Sequence, residues 1–331
     1  MNVSDKTQVR AGAATGGVKR ESQPRPGDGT RRRAGARSPL DRVRESVSIP
    51  RPVRRAVLSL AVRARRPAGR ARMLPGFLIV GAQRCGTTSL TRTLSEHPAV
   101  SCALLHKEVH YFDTGYRHGI GWYRSHFPLL ARARQAAPDG TEPVAFESSP
   151  YYMFHPLAAE RIHRDLPGVK LLVLLRDPVE RTYSAHAHEV AHGYEKESYE
   201  RALDLEETRL RGEAERIVAE PGYNSYSHQH HSYRARGEYV EQLERLEVVF
   251  GRDRMLVIDS GDFFADPEPT YHEVLDFIGL PLGPEPGFKR RNARPRSAPM
   301  SRSIRAELEE HYRPHDERLA KWLGREPSWR R

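Results

Sequence analysis

The sequence predicts an α/β fold in which a central parallel sheet is flanked by helices to give three layers. Strand-like and helical segments alternate from residue 73 onward, which is the pattern of strand–helix–strand units. The strand candidates 170–175 and 255–258 are continuously apolar, as expected for parallel strands that helices cover on both faces. Such a sheet binds ligands in a crevice at the carboxyl ends of its strands.

The individual elements follow from apolar periodicity and from helix start and stop signals. Strands are predicted at 77–80, 144–147, 170–175 and 255–258. Helices are predicted near 87–96, 156–165, 178–192, 199–218, 234–250, 268–278 and 301–323. Pro178 suits the first turn of the third of these helices, because an N–H group there would have no intrahelical partner.

The basic charge of the chain is concentrated at its amino terminus. Residues 1–72 carry a net charge of +14, whereas residues 73–331 carry −3. The first segment is rich in Arg, Gly, Ala, Pro and Ser and poor in aromatic residues, so it cannot bury enough apolar surface to offset chain ordering. We expect a disordered tail over 1–72 that makes at most weak contact with anionic membranes and binds no specific nucleic acid. One folded domain over 73–331 would follow.

Neither a membrane span nor a secretory leader is predicted. No apolar run approaches the roughly 18 residues that cross a bilayer, and the amino terminus lacks a short apolar core with a cleavage site. The two cysteines, Cys85 and Cys102, cannot form a disulfide framework and belong to no C-x-x-C metal pattern. These features predict a cytoplasmic protein.

The first strand candidate is followed by a tight glycine-bearing loop and the start of a helix. Gly81 and Gly86 are separated by four residues, as in the nucleotide-triphosphate loop G-x-x-x-x-G-K-[ST], but Thr87 stands where that motif has lysine. The only cation in the loop is Arg84. Because backbone N–H groups at a helix start attract anions, this segment predicts a P-loop-like phosphate site without ordinary ATP chemistry.

A second strand end repeats this pattern. Arg176 follows the strand 170–175, and Ser184 lies two turns into the next helix. A guanidinium binds a phosphate through two parallel hydrogen bonds, and the hydroxyl can add a third. The alternative is that Arg176 pairs with Asp177 or Glu180 as a structural ion pair. Two anion sites facing one crevice are the preferred interpretation.

The segment 106–113 supplies a carboxylate next to an imidazole. If it is extended, the two-residue period of a strand puts Glu108, His110 and Phe112 on one side. Such a pair near bound phosphates is suited to deprotonating an acceptor hydroxyl or amine. The alternative is a surface salt bridge between the two polar side chains.

These three segments, in this order, resemble sulfotransferases that use 3′-phosphoadenosine 5′-phosphosulfate (PAPS). The resemblance is greatest to the heparan sulfate N- and 3-O-sulfotransferase branch and its bacterial relatives, and it extends from residue 76 to about 324. The motifs that carry it are G-x-x-[KR]-x-G-T, K-E-V-H-Y-F-D, G-I-G-W-Y with F-P, E-S-S-P-Y-Y and R-D-P-x-E-R-x-x-S.

The resemblance implies PAPS as the donor, adenosine 3′,5′-bisphosphate as the product and no metal. Arg84 stands in place of the family's usual lysine as the cation over the bridging oxygen. Arg176 and Ser184 are implied to bind the 3′-phosphate. Further donor contacts are expected from the loop and from a loosely matched basic C-terminal segment, namely Cys85, Gly86, Thr87, Thr88 and Arg294.

The same resemblance implies the residues on the acceptor side. Glu108 is implied to be the general base, with Arg84 and His110 completing the catalytic group and Asp113 supporting Glu108 or orienting the acceptor. The acceptor is expected to be a small molecule or a glycan with a hydroxyl or amine, and a carbohydrate or glycoconjugate is preferred. The 3-O branch has a lysine where this chain has Ser148, which predicts a difference in sulfate contacts or acceptor choice. Acceptor contacts are expected from 110–126, 223–233, Tyr151 and Tyr152.

Two other enzyme classes share short motifs with the chain. His188-Glu189-Val190-Ala191-His192 is a literal H-E-x-x-H, as in zinc metalloproteases, although the third histidine of the longer motif is missing. A P-loop kinase is the other alternative, with Asp259 at a strand end as a magnesium ligand. The lysine that a kinase needs at position 87 is absent.

Overall fold

The computed structural model describes residues 51–106, 108–287 and 299–331. These residues contain a five-stranded, entirely parallel sheet in the order β2-β3-β1-β4-β5. The predicted α/β fold is therefore confirmed. The strands are Pro75–Gly81 (β1), Val100–Cys102 (β2), Val144–Ser148 (β3), Lys170–Leu175 (β4) and Met255–Asp259 (β5).

Helices connect the strands and cover the sheet. The α-helices are Arg51–Arg65 (α1), Thr87–Leu94 (α2), Ile120–Arg124 (α3), Leu130–Ala136 (α4), Ala158–Asp165 (α5), Pro178–His192 (α6), Tyr199–Leu210 (α7), Glu213–Ala219 (α8), Tyr226–His230 (α9), Tyr239–Phe250 (α10), Ser260–Ala265 (α11), Pro267–Ile278 (α12) and Arg302–Leu323 (α13). Short 3₁₀ turns lie at Gly69–Ala71, Tyr116–His118, Ala235–Gly237, Arg252–Arg254 and Ser328–Arg330.

The structure adds short helices that were not predicted, such as α3, α4, α9 and α11, and two further differences have local reasons. The strand β2 is only three residues long and was not predicted, because so short a segment carries no periodic signal. The single helix expected over 199–218 is two helices, since Gly212 between them has a φ of 74°, a conformation in which glycine is favoured and the helix stops.

The expected tail boundary at residue 72 was wrong. Residues 51–65 form α1, in which Val62 is buried. Arg65 donates from Nε to the carbonyl of Ser125 and from Nη2 to that of Phe127, both at 2.6 Å, and Arg72 donates to the Phe127 carbonyl at 3.0 Å. Arginines that looked like solvated tail charge instead satisfy carbonyl groups of the domain. Residues 1–50, the rest of the predicted tail, lie outside the described residues.

The hydrophobic core surrounds the strands β1 and β4. The apolar side chains of β1 and β4 are fully buried, and the two strands are neighbours with Leu78 opposite Leu171. Because adjacent parallel strands end at the same edge, the loops after β1 and β4 are brought together there. None of the described helices is long and apolar enough to cross a bilayer.

The last helix is held against two other helices of the domain by packing and ion pairs. α13 packs against α6 and α10. Arg305 of α13 forms an ion pair with Glu180 of α6, and Arg318 contacts Glu241 and Glu244 of α10 at 2.6 and 2.8 Å. The C-terminal 3₁₀ turn that follows is thereby held against the end of β5 and takes part in the site described next.

Candidate functional site

The loop after β1 has the form that the glycine spacing predicted. Gly86 has a φ of 95° and caps α2, and a Cβ atom there would lie 2.9 Å from the ring of Phe264. Both its conformation and the space around it therefore require glycine. Arg84 is itself left-handed, with a φ of 69°. Gly86, Thr87 and Thr88 border a cavity, and amides in the first turn of a helix have no intrahelical partner.

The end of β4 positions Arg176 through a capped helix. Asp177 Oδ1 accepts hydrogen bonds from the backbone N–H groups of Val179 and Glu180 at 2.9 and 3.4 Å, and Pro178 is the first residue of α6. Asp177 is thus committed to the cap. Arg176 lies 3.8 Å from Glu180 Oε2, a long contact, and its side chain is 35% exposed toward the cavity mouth. The purely structural interpretation of this arginine is disfavoured.

The two expected anion groups border a single cavity of about 1250 Å³. Arg84, Arg176 and Ser184 all line it, together with Glu108 and His110. Ser184 was expected to belong with Arg176, but its hydroxyl accepts a hydrogen bond from Arg84 Nε at 3.0 Å. The serine hydroxyl therefore contacts the Arg84 guanidinium, and both side chains line the cavity with Arg176. A cavity of this size exceeds that of ordinary small-ligand pockets, so it has room for a donor and an acceptor group together.

Glu108 and His110 of the cavity lining form a polar chain with the buried Asp113. His110 lies between two carboxylates, with Nε2 3.3 Å from Glu108 Oε2 and Nδ1 2.7 Å from Asp113 Oδ2. The expected proximity of Glu108 and His110 is found, but the extended conformation expected for the segment is wrong. His110 has a φ of 55°, and Phe112 is buried in the core instead of sharing their side.

The two neighbouring carboxylates favour the protonated form of the His110 imidazole. Burial alone would lower the pKa of His110, but the carboxylates of Asp113 and Glu108 raise that pKa well above its ordinary value of 6.5. Burial of Asp113 acts to raise its pKa, and the neighbouring His110 more than reverses this, so the Asp113 pKa is lowered. Near neutral pH these shifts favour an Asp113 carboxylate beside a His110 imidazolium.

Glu147 holds this segment in place and was not predicted. Its buried carboxylate accepts hydrogen bonds from the Val109 backbone N–H at 3.1 Å and from the hydroxyls of Ser149, Tyr152 and Tyr123 at 2.9, 2.6 and 3.1 Å. Burial raises the pKa of Glu147, while these bonds act to lower it. Since Val109 lies between Glu108 and His110, the carboxylate fixes the backbone that presents both.

The H-E-x-x-H segment lies on α6 and also lines the cavity. His188 and His192 are close, with ring centroids 4.1 Å apart. Glu189 is turned away from them: it contacts His230 Nδ1 at 2.9 Å and accepts from the Gln83 amide at 3.1 Å. A metalloprotease needs that carboxylate beside the metal-bound water, so this arrangement disfavours the protease alternative.

Asp259, at the strand end considered as a magnesium site, already accepts hydrogen bonds from other residues of the protein. Asp259 accepts from the Gly261 N–H at 2.8 Å and from the Ser328 N–H and hydroxyl, both at 2.6 Å. It anchors the C-terminal turn, so that Trp329 and Phe264 line the cavity. This disfavours the kinase alternative. No sequence signal indicated that residues so close to the C-terminus belong to the site.

Two expected side-chain contacts are not found at the cavity. The Cys85 side chain is buried in the core and is absent from the cavity lining, and burial raises its pKa, so it is neither a ligand contact nor a reactive thiol. Tyr151 lines the cavity, but Tyr152 is buried behind it on Glu147. Arg294 lies outside the described residues. Residues of the cavity wall that sequence reasoning missed include Gln83, His188, Arg236, Phe264 and Trp329.

Curated proteins similar to this chain are sulfotransferases. Membrane-associated sulfotransferase kil1 of Dictyostelium discoideum is 25% identical, with 79% of this chain and 68% of that protein aligned. Bifunctional heparan sulfate N-deacetylase/N-sulfotransferase 4 of Mus musculus is 27% identical, over 78% of this chain and 31% of its own length. Heparan sulfate glucosamine 3-O-sulfotransferase 5 of Homo sapiens is 27% identical, over 63% and 54%. The chain spans about a third of the first mammalian relative and about half of the second.

A solved structure and a family profile agree with these relatives. The sulfotransferase of Alicyclobacillus acidocaldarius is 31% identical and superimposes with a TM-score of 0.59, covering 78% of this chain and all of that one. The family profile described as "Sulfotransferase domain" matches residues 74–294, more than half of the chain. Because this match covers more than half of the chain, the chain belongs to the sulfotransferase domain family.

Proposed function

We propose that the protein transfers a sulfonate group from PAPS to a hydroxyl or amine of an acceptor, with a carbohydrate or glycoconjugate as the acceptor class. The observation that carries the proposal is that Arg84, Arg176 and Glu108 line one cavity. Two cations suit a donor with phosphates at both its 3′ and 5′ positions, and the carboxylate suits an acceptor that must lose a proton. Heparan sulfate sulfotransferases among the relatives support the acceptor class.

Each part of the cavity has one chemical task in this proposal. Arg84 and the first amides of α2 stabilise the negative charge that grows on the phosphate oxygen as its bond to sulfur breaks. Arg176 and Ser184 hold the 3′-phosphate, and the Arg84–Ser184 hydrogen bond keeps the two ends of the donor in register. The acceptor proton passes to Glu108 as the new bond to sulfur forms.

His110 has a positioning role in the same proposal. Its imidazolium lies between Glu108 and Asp113, so it holds the Glu108 carboxylate in position to accept a proton. The Asp113 carboxylate balances that positive charge. PAPS is a co-substrate here, and the Arg84 cation takes the place that a metal has in ATP chemistry. A cytoplasmic location and weak membrane contact of the basic tail stay predictions.

Donor binding is the first experiment. The protein is titrated calorimetrically with adenosine 3′,5′-bisphosphate, with adenosine 5′-monophosphate and with ATP plus magnesium. We expect the bisphosphate to bind at least tenfold more tightly than either other nucleotide, because only it carries both phosphates. Preference for ATP with magnesium would overturn the donor assignment.

Acceptor transfer is the second experiment. Radiolabelled PAPS is incubated with the protein and with heparan sulfate stripped of its sulfates, and in parallel with fractions of an extract of the source organism. We expect label in a saccharide-containing product, whose linkage mass spectrometry assigns to oxygen or nitrogen. Label found exclusively in a molecule without a sugar would leave the donor half intact and overturn the acceptor class.

A further inference from the structure

Two histidines one helical turn apart on α13 face the beginning of α10. His311 Nε2 lies 3.1 Å from Glu238 Oε1, and His315 Nδ1 lies 3.1 Å from Glu241 Oε1. One ligand atom from each of Glu238, His311 and His315 lies within 4.8 Å of the others. Among the histidine, cysteine and acidic side chains of the described residues, this group meets the distance criterion for a metal site.

The spacing is close to what a metal ion requires. With bonds of about 2.0–2.2 Å, the donor atoms of a tetrahedral site lie about 3.3–3.6 Å apart. Both histidine–carboxylate pairs already have this separation within a few tenths of an ångström. Bringing the remaining atoms from 4.8 Å to that distance takes small side-chain rotations, since all these groups are partly exposed at the surface between the two helices.

Glu241 lies next to this group, in contact with His315, but is not among the residues whose ligand atoms lie within 4.8 Å of one another. Its Oε1 contacts His315 and Arg318, but its Oε2 is buried and has no hydrogen-bond partner among the described residues. A buried carboxylate oxygen without a partner is unfavourable, and a cation would satisfy it. Arg318 would keep its second contact, to Glu244 at 2.8 Å, if Glu241 turned toward a metal.

We propose that His311, His315, Glu238 and Glu241 form a binding site for a divalent transition metal ion, with zinc as the ion that fits two imidazoles and two carboxylates. Two carboxylates neutralise the ion's charge, and neutral imidazoles complete the coordination. The ligands come from elements more than 70 residues apart in sequence. The metal therefore clips α13 to α10 and stabilises the fold by binding only its native form.

This site is separate from the transfer site. None of its four ligands is among the residues that line the cavity. The histidine pair His188 and His192 is on that cavity instead, on α6. The proposal therefore stands whether or not the protein transfers sulfonate, and the two histidine pairs provide each other's control.

Cobalt and zinc titrations test the proposal. The full chain is freed of metal with a chelator and titrated with Co²⁺, whose visible absorption is strong in tetrahedral sites, and then with Zn²⁺ to displace it. We expect one equivalent of Co²⁺ to bind with the tetrahedral spectrum, zinc to displace it, and zinc to raise the melting temperature. A six-coordinate cobalt spectrum, or no change in melting temperature at micromolar zinc, would overturn the proposal.

Matched variants locate the ion. The double variant His311→Asn/His315→Asn should lose the tetrahedral spectrum and the thermal response to zinc, whereas His188→Asn/His192→Asn should retain both. Glu238→Gln removes a single ligand. It should lower the affinity for zinc by more than the roughly 10–100-fold that is typical of losing an outer-sphere partner. Circular dichroism confirms that each variant is folded. Zinc binding that persists in the 311/315 variant and disappears in the 188/192 variant would place the ion on α6 and refute this site.

Discussion

The proposed donor end and the proposed base end of the cavity are built in different ways. At the donor end, Arg84 and Arg176 each follow a buried strand and precede a helix whose first turn fixes the loop. At the base end, Glu108 and His110 lie in a segment without regular structure, held by the carboxylate of Glu147, 38 residues from Val109, and by the nearby carboxylate of Asp113. Local rules thus position the cations, whereas long-range hydrogen bonds position the base.

The largest expected effect is a loss of kcat caused by a change at the base end alone. Glu108→Gln keeps the size of the side chain but removes the proton acceptor, so kcat should fall by about 10²–10⁴-fold. The affinity for adenosine 3′,5′-bisphosphate should stay within about twofold, because the donor end does not depend on this carboxylate. Transfer from radiolabelled PAPS and calorimetry with the bisphosphate measure the two quantities. Glu160→Gln, an exposed glutamate on α5, is the control and should change neither.

The second prediction concerns the donor end. Arg176→Ala should weaken the bisphosphate by about 10–100-fold, since a hydrogen bond to a charged group contributes about 1.5–3 kcal/mol. Arg84→Ala and Ser184→Ala should be non-additive, because the two side chains are hydrogen-bonded. Calorimetry on the single and double variants measures both effects, with exposed Arg164→Ala as the control. Full additivity of the 84 and 184 variants would contradict a shared donor end.

The third prediction tests whether a buried carboxylate positions the base. Glu147→Gln replaces an acceptor by an amide donor facing groups that already donate, which should cost about 1–3 kcal/mol of folding stability and lower kcat by about tenfold. Bisphosphate affinity should not change. The matched control is Glu206→Gln, another buried carboxylate, which accepts from the Arg234 and Ala235 N–H groups away from the cavity. It should lose comparable stability and keep its kcat.

An equal loss of kcat in the 147 and 206 variants would contradict the positioning role, because general destabilisation would then explain both. Rescue offers a second discrimination. Lowering the temperature restores folded protein in either variant, so the activity of the 206 variant should recover fully while that of the 147 variant stays reduced.

The same contrast explains how much could be predicted from the sequence. The strands other than β2, the helix α6, the loop around Arg84 and the position of Arg176 follow from periodicity, glycine spacing and capping, which act within about ten residues. The segment carrying Glu108 was identified by its residue types, but its left-handed turn at His110 was not, since that turn depends on contacts with residues almost 40 positions away.

Regions far apart in the sequence account for the other differences. Arg65 looked like part of a charged tail because its partners are carbonyl groups about 60 residues later, which no composition reveals. Trp329 reaches the cavity because Asp259 binds the Ser328 backbone and hydroxyl. Cys85 lies inside the loop in sequence but points into the core, a choice that only the packing around β1 decides.

The smallest expected effect concerns the charge on His110. Its folded-state pKa is raised above the ordinary value of 6.5, so the stability that it contributes is complete below about pH 6.5 and is lost as pH rises through the raised pKa. The lowered pKa of Asp113 adds a lower limit, because its contribution is lost as pH falls through that pKa, below its ordinary 3.8.

His110→Asn removes the imidazolium and keeps a residue that tolerates the left-handed backbone. A partly exposed ion pair contributes on the order of 1 kcal/mol, so the melting temperature should fall by about 2–4 °C between about pH 5 and 6.5, and by progressively less at higher pH. Thermal unfolding of both proteins across that range measures the difference. A pH-independent difference would mean that His110 acts through packing alone, and the base end would then be held by Glu147 without help from charge.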